Sequence, residues 1–392
     1  MTTYKATRLA EIKTYFDNGD IHVGYRRLLD AALETQDMEI YAHTLAFCDW
    51  YDDHSGQDRA TLTERVDALI GQLDKIPEYT DLTPDTPRLK AAAISKTYQR
   101  GAFNLSAVDM DLYPAQIIGL VGENGNGKTT LLRLLYGELL PDKGQISYHL
   151  NNVSPTASFY DIKTRLAFIP QRLPVWYGPL MDNLQFASTH YGRKGKENYL
   201  WTEMIIARMS LRPFRSYTWN RISSGYKMRF ELARTLLKKP EVLLLDEPLA
   251  NLDVLAQQVI LEDLKFLAGS QRMPLGIVLS SQQLYEVEKV SEQVIFLKQG
   301  KPRYQHTDRS RQAASVAKPL VLELETTASR ETLQQVLERA GLQRISFNGG
   351  IYLLYFAEGT EIPAVLQRLG ETGLPVKYFR DISSSSRRFF DA

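Results

Sequence analysis

The chain predicts an α/β protein in three parts. Three observations point there: a Pro-free helical stretch first, short apolar runs alternating with helical segments next, and a regular strand and helix order at the end. From about Tyr4 to Leu73 apolar residues recur at helical spacing, as in Leu28, Leu29, Ala32 and Leu33, then Ile40, Ala42, Leu45 and Phe47. Residues 1–75 therefore read as a bundle of three or four helices, a scaffold or partner-docking module. Residues 76–87 are rich in Pro, Thr and Asp, which suits neither helix nor sheet, and read as a linker. Over 88–301 the runs Ile117–Val121, Leu166–Ile169, Val242–Leu245, Ile277–Leu279 and Val294–Leu297 predict buried strands of a largely parallel core. Polar residues over 302–318 predict a second linker. Val321–Leu324, Gln343–Phe347, Ile351–Phe356 and Val376–Phe379 then read as strands, Arg330–Ala340 and Ile362–Leu369 as helices, and Asn348, Gly349 and Gly350 as a hairpin turn. That β-α-β-β-α-β order predicts a ferredoxin-like unit over 319–392.

Composition narrows the function. With 392 residues, 44% hydrophobic and 24% charged, the chain has ample material for several cores. Its 47 basic and 46 acidic residues leave a formal net charge of +1, so no global field favours nucleic acid. No apolar run approaches the roughly 18 residues that span a bilayer, and the first residues lack the apolar core of a signal peptide. The expectation is a cytoplasmic protein that needs a partner to act at a membrane. Cys48, the one cysteine, sits in an apolar pattern and reads as a packing residue. The six histidines, His22, His43, His54, His149, His190 and His306, lack a metal-ligand spacing and are assigned no role.

The run from Gly122 to Thr130, Gly-Glu-Asn-Gly-Asn-Gly-Lys-Thr-Thr, follows the apolar run Ile117–Val121 and reads as a phosphate-binding loop. Gly122, Gly125 and Gly127 let the backbone, with Glu123, Asn124 and Asn126, curl its N–H groups around phosphate oxygens. Lys128 then reaches the β and γ phosphates, Thr129 can ligate Mg²⁺, and Thr130 completes the motif.

Further stretches follow in a set order. Gln171 ends Leu166-Ala167-Phe168-Ile169-Pro170. Ile222, Ser223, Ser224, Gly225 and Tyr226 precede a basic segment. Val242–Leu245 runs into Asp246, Glu247 and Pro248, followed by Ala250, Asn251, Leu252 and Asp253. Together with the loop, they resemble the ATP-binding cassette ATPase family over roughly Leu89 to Gly300. The resemblance implies a P-loop NTPase cassette with a parallel core sheet, an antiparallel β subdomain and a helical subdomain. It further implies ATP and Mg²⁺ as cofactors and Tyr98 as the platform for adenine. Gln171 stands at the glutamine that touches Mg²⁺ or the attacking water. Asp246 holds the Mg²⁺ shell with Thr129, and Glu247 polarises the water that attacks the γ phosphate. Residues 222–226 form the signature peptide that binds the γ phosphate held by a second chain, with Ser224 and Tyr226 departing from the usual residues. Residues 250–253 match the loop that crosses the dimer interface. Gln282 falls where the family usually carries a histidine that contacts the γ phosphate; its amide can still donate a hydrogen bond but cannot titrate, so hydrolysis is expected to rely on Glu247 alone, with Lys128 on the phosphates.

A cassette followed by a ferredoxin-like unit is similar to the ATPases of drug, polysaccharide and lipid exporters. That implies a head-to-tail homodimer or pseudo-dimer that drives export through a separate transmembrane permease. The permease would dock near Leu173–Asn183, where Pro174, Trp176, Tyr177 and Leu180 offer an apolar patch. Two readings stay open beside it: a soluble clamp acting on ribosomes or DNA, and a weakly hydrolysing ATP sensor.

Overall fold

Four helices come first: α1 (Tyr4–Asp17), α2 (Ile21–Thr35), α3 (Met38–His54) and α4 (Arg59–Lys75). The computed structural model describes residues 4–54, 59–77, 86–98, 103–154, 157–307, 320–348 and 350–383. Most of the expected first linker, and Gly349 of the expected hairpin turn, lie outside those residues. Leu28, Leu29, Ala32 and Leu33 of α2 are buried with Tyr41, Leu45 and Cys48 of α3, as their spacing requires for one apolar stripe. Burial pushes the Cys48 thiol up to about 11, which suits a packing residue and not a nucleophile.

Three antiparallel strands, β1 (Leu89–Thr97), β2 (Asn104–Leu112) and β4 (Lys143–Tyr148), form a sheet in the order β2-β1-β4. A six-stranded sheet is built from β3 (Ile117–Val121), β5 (Leu166–Ile169), β6 (Val242–Leu245), β7 (Gly276–Ser281), β8 (Gln293–Lys298) and β9 (Lys301–Thr307), in the order β5-β6-β7-β3-β8-β9. The first five of these, taken across the sheet, pair in parallel. All residues of β3, β6 and β7 are buried, as in a parallel sheet covered on both faces. The helices of this part are α5 (Lys128–Leu135), α6 (Phe159–Arg165), α7 (Leu180–His190), α8 (Gly195–Arg208), α9 (Ser224–Leu236), α10 (Val254–Ala268) and α11 (Leu284–Glu288).

Two boundaries differ from the sequence reading. The segment expected to start a linker at 302 instead continues the sheet as β9, because backbone groups beside β8 pair along the edge whatever the polarity of the side chains. The first four helices belong with the cassette in one compact unit, Met1–Gln305, and are not a separate module. One apolar core runs through both parts, and buried charge adds to it. Arg208 of α8 has no exposed side-chain surface; its Nε donates to Asp30 of α2 and its Nη1 to Asp263 of α10 at 2.7 Å. Asp263 also accepts from Arg26 of α2. Burial opposes the charge on Asp263, but Arg208 and Arg26 outweigh it and hold the carboxyl below the usual carboxylate range. Arg212 pairs with Asp52 of α3 at 2.8 Å, and Tyr41 packs against Trp201 of α8 with ring centroids 5.5 Å apart. A pattern of apolar spacing shows none of these long-range pairs.

The second unit, His306–Ala392, holds β10 (Val321–Thr326), α12 (Arg330–Leu337), β11 (Leu342–Asn348), β12 (Ile351–Phe356), α13 (Ile362–Glu371) and β13 (Val376–Asp381). Its four strands are antiparallel in the order β11-β12-β10-β13, the ferredoxin-like arrangement. Leu322, Leu324, Leu354 and Phe356 on one face of the sheet bury against Leu333, Leu337, Val365 and Leu369 of the two helices. Among the described residues, no helix is long and apolar enough to cross a membrane.

Removing the cation at the centre of the Asp30–Arg208–Asp263 group leaves two buried carboxylates, with Arg26 the remaining partner of Asp263 and Arg27 that of Asp30. An Arg208→Leu chain is therefore expected to lose about 3 kcal/mol of unfolding free energy in urea, with α1–α4 and the cassette still unfolding together. A loss below about 1 kcal/mol would show that the group does not join the two parts.

Candidate functional site

The turn after β3 wraps tightly because glycine permits it. A side chain at Gly122 would meet the Leu297 carbonyl oxygen at 2.5 Å, and Gly127, with φ at +98°, would drive one into the Phe103 ring. Asn126 Oδ1 accepts from the Gln299 N–H at 2.8 Å, which ties the loop to the turn after β8. Gly127 caps α5, and the first N–H groups of that helix have no intrahelical acceptor, so the loop offers donors and the positive end of a helix at one point. Glu123, Asn124 and Gly125 lie exposed along its outer edge, and Thr130 is partly buried in the first turn of α5. Lys128, 4% exposed, donates from Nζ to the carbonyls of Gly122 at 2.6 Å and Glu123 at 3.2 Å.

Strand β6 delivers the two carboxylates beside this loop. Thr129 Oγ1 donates to Asp246 Oδ2 at 2.8 Å. Lys128 Nζ lies 3.0 Å from Glu247 Oε1, while the other oxygen, Oε2, accepts from Gln171 Nε2 at 3.1 Å and from Gln282 Nε2 at 2.8 Å. Glu247 has φ at +48°, a left-handed conformation that costs a non-glycine residue about 1–2 kcal/mol and turns its side chain away from the strand line. Ser280 of β7 holds the pair: its Oγ donates to Asp246 Oδ1 at 2.9 Å and accepts from the Glu247 N–H at 2.9 Å. Ser280 was missed by sequence reasoning, because it lies just past the apolar run Ile277–Leu279, where a serine reads as the polar residue that ends a strand until its cross-strand neighbours are known.

The remaining residues fall into two sets. Tyr98 is 39% exposed, with its ring centroid 6.4 Å from that of Phe103, the ring that closes over Gly127. The two aromatics thus form a shelf beside the phosphate loop, and Phe103 is the second residue the sequence did not single out. Ser223 accepts from the Tyr226 N–H at 3.5 Å as the cap of α9, and Ser224 Oγ donates to the Asn251 carbonyl at 3.0 Å. Residues 222–226 and 250–253 therefore meet within one chain. Asp253 caps α10 by accepting from the Ala256 N–H at 2.8 Å, Ala250 N–H donates to the Glu247 carbonyl at 3.1 Å, and Leu252 packs on the core. Two expected signature side chains turn inward: Ile222 is buried, and the Tyr226 ring packs 4.1 Å from that of Phe214. Ser223, Ser224 and Gly225 are what the peptide presents. The expected docking patch is likewise divided. Leu180 is buried and Trp176 donates to Glu231 of α9, whereas Val175 and Tyr177 are 55% and 86% exposed.

The donors suit a nucleoside triphosphate with Mg²⁺. Thr129 and Asp246 bring two hard oxygen ligands together, and Gln171 offers an amide oxygen. Among the described residues no group of three or more His, Cys, Asp or Glu side chains can hold a metal alone. Mg²⁺ commonly takes one or two protein oxygens together with phosphate oxygens and waters, and Thr129 and Asp246 fit that habit.

Residues 105–250 match the family model described as ABC transporter. The spermidine/putrescine import ATP-binding protein PotA of Mesoplasma florum is 31% identical over 54% of this chain and 59% of its own length. The phosphonates import ATP-binding protein PhnC of Bdellovibrio bacteriovorus is 29% identical over 55% of this chain and 86% of its own. The chain thus spans about three fifths of the first of these relatives. The structure of cbiO1 from Clostridium perfringens, part of the ABC transporter complex cbiONQ, superposes with a TM-score of 0.52 at 19% identity, covering 65% of this chain and 96% of that one, a likeness of fold. Residues 105–250 thus carry a cassette, matched in sequence and built on the same fold, that is similar to the ATP-binding cassette ATPases.

Proposed function

We propose that the chain binds and hydrolyses ATP as a head-to-tail dimer and passes the resulting motion to a separate membrane partner. The observation that carries this reading is the Glu247 carboxylate, held by Lys128, Gln171 and Gln282 at the end of a buried strand beside the phosphate loop. A γ phosphate competes with Glu247 for Lys128, and its arrival leaves Glu247 oriented by two amides toward an attacking water. Mg²⁺, when bound, neutralises charge developing on the β and γ oxygens. Thr129 and Asp246 would hold it, with Gln171 able to add its amide oxygen. Ser280 keeps the two carboxylates in register by bonding both residues at once.

Support for a second copy comes from the surface around the signature peptide. Ser223 and Ser224 are exposed, and Val254 and Leu255 beside residues 250–253 are 65% and 74% exposed, so apolar area lies next to the serine hydroxyls. Support for a membrane partner comes from Val175 and Tyr177, which stand out from the segment after Gln171 while Trp176 anchors that segment to α9. A push on the exposed residues then reaches the helix whose N-terminus faces the second copy. Export is the direction proposed, from the likeness of a cassette followed by a ferredoxin-like unit to exporter ATPases. The two curated relatives are named for import.

A Glu247→Gln chain is expected to keep ATP binding and lose turnover by roughly 100-fold or more. Pulled down with ATP and Mg²⁺ from detergent-solubilised native membranes, it should bring a multi-span membrane protein; ribosomal or DNA-bound material without one would overturn the transport reading. Gln282→Ala is expected to cut turnover about tenfold at unchanged KM, through loss of one of the two amide donors to Glu247. The wild-type rate should show no histidine-like step between about pH 6 and 8, and Gln282→His should introduce one near about 6.5. Ser280→Ala leaves the buried Glu247 N–H without its acceptor and should lower stability by about 1–3 kcal/mol in urea.

A further inference from the structure

The strands have a second end, opposite the phosphate loop. Glu247 and Gln171 follow the ends of β6 and β5, whereas Arg165, Lys238 and Lys239 precede the starts of the same strands. At that opposite edge lies an open cleft of about 420 Å³, within the size range of small-molecule sites. Arg165, Arg193, Lys238 and Lys239 line it, against a single carboxylate, Glu197. In a chain whose net charge is +1, that is a local concentration of like charge.

Among the described residues, three of the four cations are also left without an ion pair. Lys238 Nζ donates to the Leu166 carbonyl at 2.9 Å, Lys239 Nζ to Gln36 Oε1 at 2.7 Å, and Arg193 Nη1 to the Leu237 carbonyl at 2.8 Å. All three acceptors are neutral, and among the described residues none of these cations forms an ion pair; Arg165 reaches Glu241 only at 4.0 Å. Burial, with Arg234 beside Lys238 and Arg193 beside Lys239, holds both ammonium groups down to about 8, so they remain charged at neutral pH at a cost that an anion relieves. Gln36, at the end of α2, brings the N-terminal helices into the same arrangement.

We propose that this cleft is a second anion site that binds a phosphate group, carried by a free small molecule or by a lipid headgroup. Phosphate is the class that suits it, because guanidinium forks and ammonium groups together match several oxygens on one centre. The site is separate from the ATP loop and does not depend on hydrolysis. Trp201 reports on it directly: the Arg193 guanidinium lies 4.5 Å and Lys239 Nζ 4.2 Å from its ring centroid.

The test uses the full chain with Lys128→Ala, which disables the cassette's own phosphate site, and follows calorimetry and tryptophan fluorescence while inorganic pyrophosphate is added. Saturable binding at one site per chain is expected. Lys238→Gln with Lys239→Gln should weaken it at least tenfold, and Glu197→Gln, which removes the one facing acid from an exposed position, should tighten it several-fold. Parallel arms use vesicles of phosphatidylglycerol and of phosphatidylcholine. Pyrophosphate binding with both vesicles ignored assigns the cleft to a free ligand; binding to phosphatidylglycerol alone, lost in the double variant, assigns it to a headgroup. Absence of binding in every arm, or equal affinity in all the variants, overturns the proposal.

Discussion

The parallel register of three buried strands is the constraint on which the site depends. Val121 of β3 stands opposite Ser281 of β7, and Leu279 of β7 opposite Leu245 of β6, so the three strands end side by side. Parallel pairing gives all three ends the same direction, and the groups that follow them emerge at one edge. The phosphate loop, Ser280 with Gln282, and the Asp246–Glu247 pair come from segments far apart in sequence. They meet because the sheet leaves them nowhere else to go. A slip of one residue in β6 would exchange the faces of its side chains and move Asp246 away from Thr129.

Glu247 shows how a carboxylate can be prepared without a histidine. Two glutamine amides and a lysine satisfy it from three sides, one glutamine after β5 and the other after β7. An imidazole at position 282 would tie that grip to its own protonation; an amide donates at every ordinary pH. The contact from Gln282 to Glu247 is therefore one that does not titrate.

The N-terminal helices extend the cassette's own core instead of standing apart from it. Asp30, Arg208, Asp263 and Arg26 form a buried group in which charges alternate, and burying them is tolerable only because each carboxylate faces a guanidinium. Such a group contributes less to net stability than an apolar contact of the same size, but it admits few other arrangements. It fixes how α2 lies on α8 and α10. Through Gln36 the same helices reach Lys239, so the added helices also shape the far edge of the sheet.

Much of this was legible in one dimension. Strands Ile117–Val121, Leu166–Ile169 and Val242–Leu245 have the bounds their apolar runs mark, because a strand covered on both faces must be apolar throughout and polar residues end it. The phosphate loop was legible since it is one contiguous peptide whose glycines have a local steric reason. The extension of the sheet by β9, the role of Ser280, the Phe103 shelf, the inward turn of Tyr226 and Trp176, and the union of α1–α4 with the cassette were not. Each depends on which distant segment lies alongside, and side-chain type does not encode that. By itself the sequence determined the local conformations and the chemical groups available. Tertiary structure decided which of those groups share a site, because only the packing of the strands brings residues from opposite ends of the cassette within hydrogen-bond reach.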